Sequence, residues 1–331
     1  MIDAEDPGEL LDYLIARGHL TGASGVTVTN LAGGVSNKTV LVHHPAGAWV
    51  IKQALAQLRV QATWLSDPAR IHSEAAGMRA LARLIPAKHL TRFLFEDADN
   101  RLLAMEAVPE PFENFKTQLL SGQIEPGAIE QFAGVLGQIH AASAGDAALA
   151  REFGDRTFFE SLRLAPYYQA AAAAVPDAAH FLDTLITDTR ATRQALVHGD
   201  YSPKNVLVRN RTLILLDHEV IHYGDPAFDV GFATAHLLSK AHHLTAHQAA
   251  FIDATRRFWR HYLDTAGDAD AERAARHSVA CLLARVAGKS PLEYLSATEQ
   301  SRQLAVCIDL IRGGRLADPD VVAKRFAAAL V

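Results

Sequence analysis

Two cysteines in 331 residues leave no disulfide framework and no thiolate zinc site, and Cys281 and Cys307 sit far apart in apolar, helix-like stretches where they read as core filler. No run of about 18 uncharged apolar residues occurs, so no membrane-spanning helix is expected. Positive charge is short as well: 32 Lys and Arg against 37 Asp and Glu give a formal net charge of -5, with no basic block to track a phosphate backbone. Neither nucleic acid nor a membrane is therefore expected as a partner. The first six residues, Met1-Ile2-Asp3-Ala4-Glu5-Asp6, are acidic where a secretory leader would be basic, which makes the cytoplasm the expected location. Internal repeats and low-complexity stretches are missing too, and this excludes solenoids and disordered polymers.

What is present is a globular composition, 49% hydrophobic and 21% charged, over a length that suggests about two domains. Histidine is unusually frequent at 16, with doublets at His43-His44 and His242-His243. His243 and His247 have the i, i+4 spacing that would put two imidazoles on one helix face. The pair lacks the glutamate of a His-Glu-x-x-His zinc site, so a metallohydrolase is disfavoured.

Two textures follow one another. From about Gly25 to Val108, short runs rich in Val, Ile, Leu and Thr (Val26–Thr29, Thr39–Val42, Ala48–Ile51, Arg92–Phe95, Leu102–Met105) alternate with turn residues and predict an antiparallel meander. A helix precedes it from about Ala4 to Ala16. Another interrupts it after Ser66-Asp67-Pro68, with Ala75, Met78, Ala82 and Ile85 as its apolar stripe. Beyond Pro109 the pattern is helical: about Phe112–Ser121, Ala128–Ala142, Phe158–Ala174, Ala178–Ala195, Pro226–Ala241, Ala246–Ala266 and Asp270–Gly288. A hairpin, Asn205–Val208 and Thr212–Asp217 around Arg209-Asn210-Arg211, breaks the series. This segregation predicts an α+β protein of two lobes, residues 1–107 and 108–331, with a cleft between them.

The chemistry concentrates after Leu196, in Leu-Val-His198-Gly199-Asp200-Tyr-Ser-Pro-Lys204-Asn205, then Leu-Leu-Asp217-His-Glu219, then Gly224-Asp225-Pro226-Ala-Phe-Asp229. The hairpin brings Asn205 and Asp217 to one end, and two oxygen donors completed by water and substrate phosphates suit Mg²⁺. Asp200, further back in the loop, is placed to orient a substrate hydroxyl or accept its proton. Phosphoryl transfer needs this division of labour, because positioning and charge neutralisation supply most of its catalysis.

This ordered set, His-Gly-Asp-x4-Asn followed by Asp and Gly-Asp-Pro-x-x-Asp, resembles the aminoglycoside phosphotransferase and choline kinase superfamily, small-molecule relatives of the protein kinases. The resemblance implies a protein-kinase-like two-lobe fold and an ATP- and Mg²⁺-dependent transfer of the γ-phosphate to a hydroxyl of a small molecule. It implies Asp200 as catalytic base or hydroxyl-orienting residue, with His198 and Asp229 supporting the loop. Asn205 and Asp217 become Mg²⁺ ligands, and Glu219 is a further candidate oxygen. In the first lobe, Gly33-Gly34-Val35-Ser36-Asn37 would approach the ATP phosphates, Lys52 would grip them with Glu74 as its ion-pair partner, and Met105-Glu106-Ala107-Val108 would present backbone to adenine. The helix containing Glu74 also offers Arg70, four residues earlier, as a local partner instead.

Ile51-Lys52-Gln53-Ala54-Leu55, Leu58-Arg59-Val60, Trp64, Asp67-Pro68-x-Arg70 with Glu74, and Asp217-His-Glu219 are locally similar to methylthioribose kinases. Asn205, however, stands where that family has Ser. The acceptor class stays open between a sugar, an amino alcohol and an aminoglycoside-like compound, and Glu293, Asp309 and Asp253 are candidate wall residues for a cationic one. A nucleotide-binding pseudokinase and a methylthioribose kinase remain as alternatives, and a homodimer is left open.

Overall fold

The structure, a computed structural model, describes residues 1–31, 34–59 and 64–330. Backbone contacts divide it into two compact units, Met1–Phe112 with Asp217–Glu219, and Glu113–Leu216 with Val220–Val331.

The first unit begins with α1 (Pro7–Ala16), capped by Asp6, whose carboxylate accepts from the Gly8 and Glu9 amides. The strands are β1 (Thr27–Asn30), β2 (Asn37–His44) and β3 (Gly47–Ala54), then β4 (Phe93–Asp97) and β5 (Leu102–Glu106) after helix α2 (Arg70–Leu84). All pairings are antiparallel, but the spatial order is β1-β2-β3-β5-β4. The expected meander is therefore corrected: α2 carries the chain past β3, so β4 takes the edge and β5 returns beside β3.

Strand alternation then sorts the side chains. Val40, Val42, Ile51, Leu102 and Ala104 pack with Leu10, Tyr13 and Leu14 of α1 on one face. Leu103 and Met105 pack with Ile71, Ala75 and Met78 of α2 on the other. The helical stripe differs from expectation at one position, because Leu81 is buried while Ala82 is exposed.

The second unit starts with β6 (Glu113–Asn114) and α3 (Phe115–Leu120), where Asn114 caps a helix shorter than the sequence suggests. It continues through α4 (Pro126–Ser143), α5 (Ala147–Glu152), the single turn α6 (Thr157–Phe159), a π-helix over Glu160–Gln169, α7 (Ala170–Ala174) and α8 (Pro176–Ala191). The π segment contains Pro166, whose missing amide hydrogen is incompatible with a regular α-helix over 158–174. Ala195 leaves the expected helix altogether and opens β7 (Ala195–Val197), which pairs with β10 (His222–Gly224).

Between these lie β8 (Val206–Arg209) and β9 (Thr212–Leu215), joined by Asn210 and Arg211 at φ 49 and 61°, the two left-handed residues of a type I′ turn. The unit ends with α9 (Pro226–His243), α10 (Gln248–Ala266), α11 (Ala271–Ala287), α12 (Ala297–Arg312) and α13 (Pro319–Ala329), the last two absent from the sequence expectation. Its core, which includes Phe228, Phe232, Leu282 and Phe326, buries the free thiols Cys281 and Cys307.

Candidate active site

Lys52 follows Ile51 in β3, so alternation turns it to the α2 face of the sheet. Glu74 falls between Ile71 and Met78 on the buried stripe of α2, which brings a carboxylate to that same face. Lys52 Nζ lies 2.6 Å from Glu74 Oε1 and 3.0 Å from Asp217 Oδ1. Burial alone would lower the pKa of Lys52, but the charges of Asp217 and Glu74 override it and hold the ammonium well above its ordinary range. Burial pushes Glu74 the opposite way from Lys52's attraction, to above the usual carboxylate range, and its Oε2 is buried without a hydrogen-bond partner. Asp217 has φ 64°, a left-handed conformation costing about 1 kcal/mol for a non-glycine residue.

Arg70 does not pair with Glu74. It is fully buried, and its Nε lies 3.1 Å from Glu219 Oε2, while its Nη groups donate to the carbonyls of Ser66, Asp67 and Ser36. One arginine therefore ties Glu219, the start of α2 and the segment after Gly34 together.

Gly33 lies outside the described residues. Gly34 is exposed, and Ser36 and Asn37 are buried, with Asn37 Nδ2 donating to Ser36 Oγ at 3.2 Å and Asn37 Oδ1 left without a partner. Met105 faces the core, and the amides of Glu106 and Ala107 are engaged by the carbonyls of Arg92 and Ala48. Val108 is the first residue of the Met105–Val108 stretch beyond those sheet bonds.

In the second unit, the loop that runs from His198 to Asn205 is held by α9. Asp229 Oδ2 accepts from the His198 amide at 2.7 Å and Oδ1 from the Gly199 amide at 2.8 Å, and His140 lies 3.3 Å from the same carboxylate. Burial raises the Asp229 pKa, but the His140 contact and these amides outweigh it, so the carboxylate stays below its ordinary range. Gly199 has φ 76°, and a Cβ there would stand 2.9 Å from the Val220 carbonyl oxygen, so the turn accepts only glycine. His198 is buried, and its Nδ1 accepts from the Asp200 amide at 3.2 Å, consistent with a supporting part. Asp225 caps α9 and forms an ion pair with Arg273 at 2.8 Å.

Within the loop, Asn205 turns to Asp200. Asn205 Nδ2 donates to Asp200 Oδ2 at 2.6 Å, and the Leu216 amide donates to the Asn205 carbonyl at 2.9 Å, one residue before Asp217 in the chain. Sequence reasoning missed Arg163. From the π-helix its Nη2 reaches Asp200 Oδ2 at 2.9 Å and its Nε donates to the Gly199 carbonyl at 2.8 Å. An isolated arginine 37 positions before Asp200 in sequence carries no motif, and the only local cue is Pro166 in an otherwise helical stretch.

Asn205, with its amide nitrogen turned to Asp200, has a carboxamide oxygen of the kind that suits a hard cation, and the Asp217 carboxylate, beside Lys52, is of the same donor class. No cluster of three or more His, Cys, Asp or Glu side chains fit to hold a metal occurs among the described residues. His243 and His247 do not share a helix, since α9 ends at His243 and a separate 3-10 turn holds His247, in keeping with the disfavoured metal reading. Of the candidate wall carboxylates, Glu293 contacts Lys116 and Asp253 lies 3.4 Å from Arg257.

The chain matches the phosphotransferase enzyme family, APH, over residues 27–274. Among solved structures it is similar to choline kinase from Streptococcus pneumoniae, at 17% identity and a TM-score of 0.52, covering 97% of each chain. It is similar to an amicoumacin kinase in complex with AMP-PNP, Ca²⁺ and its ligand, at 13% identity and a TM-score of 0.58, covering 88% of this chain and 89% of that one. A third is an aminoglycoside phosphotransferase in ternary complex with AMP-PNP and hygromycin B, at 16% identity and a TM-score of 0.54, covering 92% and 98%. The comparison with curated proteins found no match.

The chain belongs to the APH phosphotransferase family and is a small-molecule kinase with the α+β kinase-like fold. Among the described residues, no helix is long and apolar enough to cross a membrane.

Proposed function

We propose that this kinase transfers the γ-phosphate of ATP to a hydroxyl of a small molecule in a Mg²⁺-dependent reaction. The observation that carries the reading is the Asp200–Asn205 contact of 2.6 Å, which places a carboxylate and a carboxamide side by side in a loop fixed from beneath by Asp229. Asp200 aligns the acceptor hydroxyl and takes its proton as the oxygen attacks phosphorus. Lys52, kept charged by its carboxylates, grips the nucleotide phosphates, and the Gly33-Gly34 segment with Ser36 and Asn37 follows them by backbone approach. Asn205 and Asp217 would hold Mg²⁺, which neutralises charge on the transferring phosphoryl group. Glu219, already engaged by Arg70, contributes negative charge from the second position after Asp217. Backbone from Val108 onward receives adenine. On this reading residues 1–107 bind nucleotide, and residues 108–331 carry the catalytic loop and the acceptor pocket.

The test is ADP release with a panel of hydroxyl compounds. Asp200→Ala should lose transfer by about 10² or more while keeping ATP affinity. Near-normal turnover in that variant would remove Asp200 from the role.

A further inference from the structure

Lys240 lies in the last turn and a half of α9 and is fully buried. Its ammonium donates to the His236 carbonyl at 3.2 Å and lies 5.4 Å from the centre of the Tyr294 ring. Among the described residues, no carboxylate comes within ion-pair distance of it. The surrounding charges are of its own sign: Lys116 from α3, 5.9 Å from the same ring, and Arg285 from α11. Lys204, next to Asn205, adds to the positive field at His236. Glu293 is the one carboxylate that acts on Lys240; it is exposed and already bridged to Lys116. Two further polar atoms here are buried without a hydrogen-bond partner, the Tyr294 hydroxyl and Arg285 Nε.

An uncompensated buried ammonium is costly unless it loses its proton or gains an anion. Burial first, then Lys116 and Arg285, pull the Lys240 pKa down to about 7, so the ligand-free protein stands near the balance of those two outcomes. The cluster also connects to the catalytic loop. Arg285 Nη1 donates to the Tyr167 hydroxyl at 2.8 Å, and Arg163, the partner of Asp200, lies 5.7 Å over the same Tyr167 ring.

We propose that Lys240, Lys116 and Arg285 form an anion subsite for the acceptor, so that the hydroxyl compound phosphorylated by this enzyme carries a phosphate or a carboxylate. The Tyr294 hydroxyl supplies a further donor, and Glu293 occupies Lys116 until the acceptor's anion replaces it. A cationic aminoglycoside or amino alcohol would meet like charge at these residues. The inference rests on the phosphotransfer reading above and narrows its substrate class.

The first test keeps the protein saturated with Mg²⁺ and AMP-PNP, which occupies the nucleotide site, and follows Tm while inorganic phosphate is added. Phosphate should raise Tm in the wild type. Its half-saturating concentration should rise about thirtyfold or more in Lys240→Met. The milder Tyr294→Phe, which removes only an unpartnered hydroxyl, should shift it by about threefold to tenfold. Glu293→Gln should lower it. A wild-type Tm that responds to AMP-PNP and ignores phosphate overturns the subsite and leaves the kinase reading standing. A protein that ignores Mg²⁺ and AMP-PNP fails that reading, and the subsite falls with it.

The second test compares kcat/KM on one scaffold: glycerol, 3-amino-1,2-propanediol, glycerate and glycerol 3-phosphate. Preference for one of the two anions supports the proposal and says which anion is meant. Preference for the amine or for glycerol itself overturns it.

Discussion

Lys52 and Lys240 are both buried ammonium groups, but Lys52 meets two carboxylates at 2.6 and 3.0 Å while Lys240 meets a backbone carbonyl at 3.2 Å and an aromatic ring. The first pairing is built into the fold by strand alternation and a helical stripe, and the ammonium has its counter-charge without a ligand. The second leaves charge of one sign in a buried place. Burial by itself therefore does not define a site; what matters is whether the fold supplies the counter-charge. A group that the fold has satisfied can grip a substrate without changing protonation, whereas an unsatisfied one changes state when its partner arrives.

Removing each ammonium is the strongest way to break this comparison. Lys52→Met leaves Glu74 and Asp217 facing each other without their cation and should cost about 3 to 5 kcal/mol of stability in urea unfolding. Lys240→Met deletes a charge that nothing opposes at ion-pair distance, and the ligand-free protein should unfold at the same or a higher urea concentration. Equal losses in the two variants would mean that Lys240 has a counter-charge after all.

Titration sharpens the same contrast. The folded pKa of Lys240, about 7, lies below the unfolded value of 10.5, so between these pH values the unfolded chain holds a proton that the folded chain has released. Stability relative to Lys240→Met should therefore rise with pH across that window, by about 3 kcal/mol from pH 7 to 10. Lys52, whose folded pKa is raised, should contribute no such rise there. A flat difference between wild type and Lys240→Met would show that Lys240 keeps its proton when folded.

Much of the paired region was legible in the sequence because its cues are local. A hydrophobic strand ending in Lys52, a capped helix carrying Glu74, and a His-Gly-Asp-x4-Asn loop followed by a hairpin each declare themselves within about a dozen residues. The structure agrees with one of those cues in a named contact, since Lys52 meets Glu74, whereas the Asn205 contact with Asp200 was not foreseen, the sequence having pointed Asn205 to Asp217. Strand order was not legible, since nothing in Leu102–Glu106 says that it lies beside β3 with β4 outside it. The break at Ala195 was hidden for a related reason: an Ala-Leu-Val run is compatible with helix until its pairing with His222–Gly224 decides for strand. The cation cluster was invisible, because Lys116, Lys240 and Arg285 come from three helices and share no spacing. The partnership of Arg70 with Glu219 was missed on the same ground, the two being separated by 149 positions, and so was Arg163.

Arg163 carries the contrast down to Asp200, the carboxylate proposed to act on the acceptor hydroxyl. Asp200 is satisfied by the fold as Lys52 is, receiving Arg163 at 2.9 Å and Asn205 at 2.6 Å on the same oxygen. If the arginine only aims that carboxylate, Arg163→Met should lower kcat by about tenfold, a little over 1 kcal/mol of barrier, with the KM for ATP unchanged. Arg163→Lys, which keeps the charge but loses the fork that also holds the Gly199 carbonyl, should recover part of that loss. The Asp200→Ala background separates aim from scaffolding: there Arg163→Met should cost no further activity, because the group it positions is already gone. An additional loss in the double variant would mean that Arg163 acts on the reaction by another route, and the Tyr167 ring it shares with Arg285 leads to the proposed anion subsite.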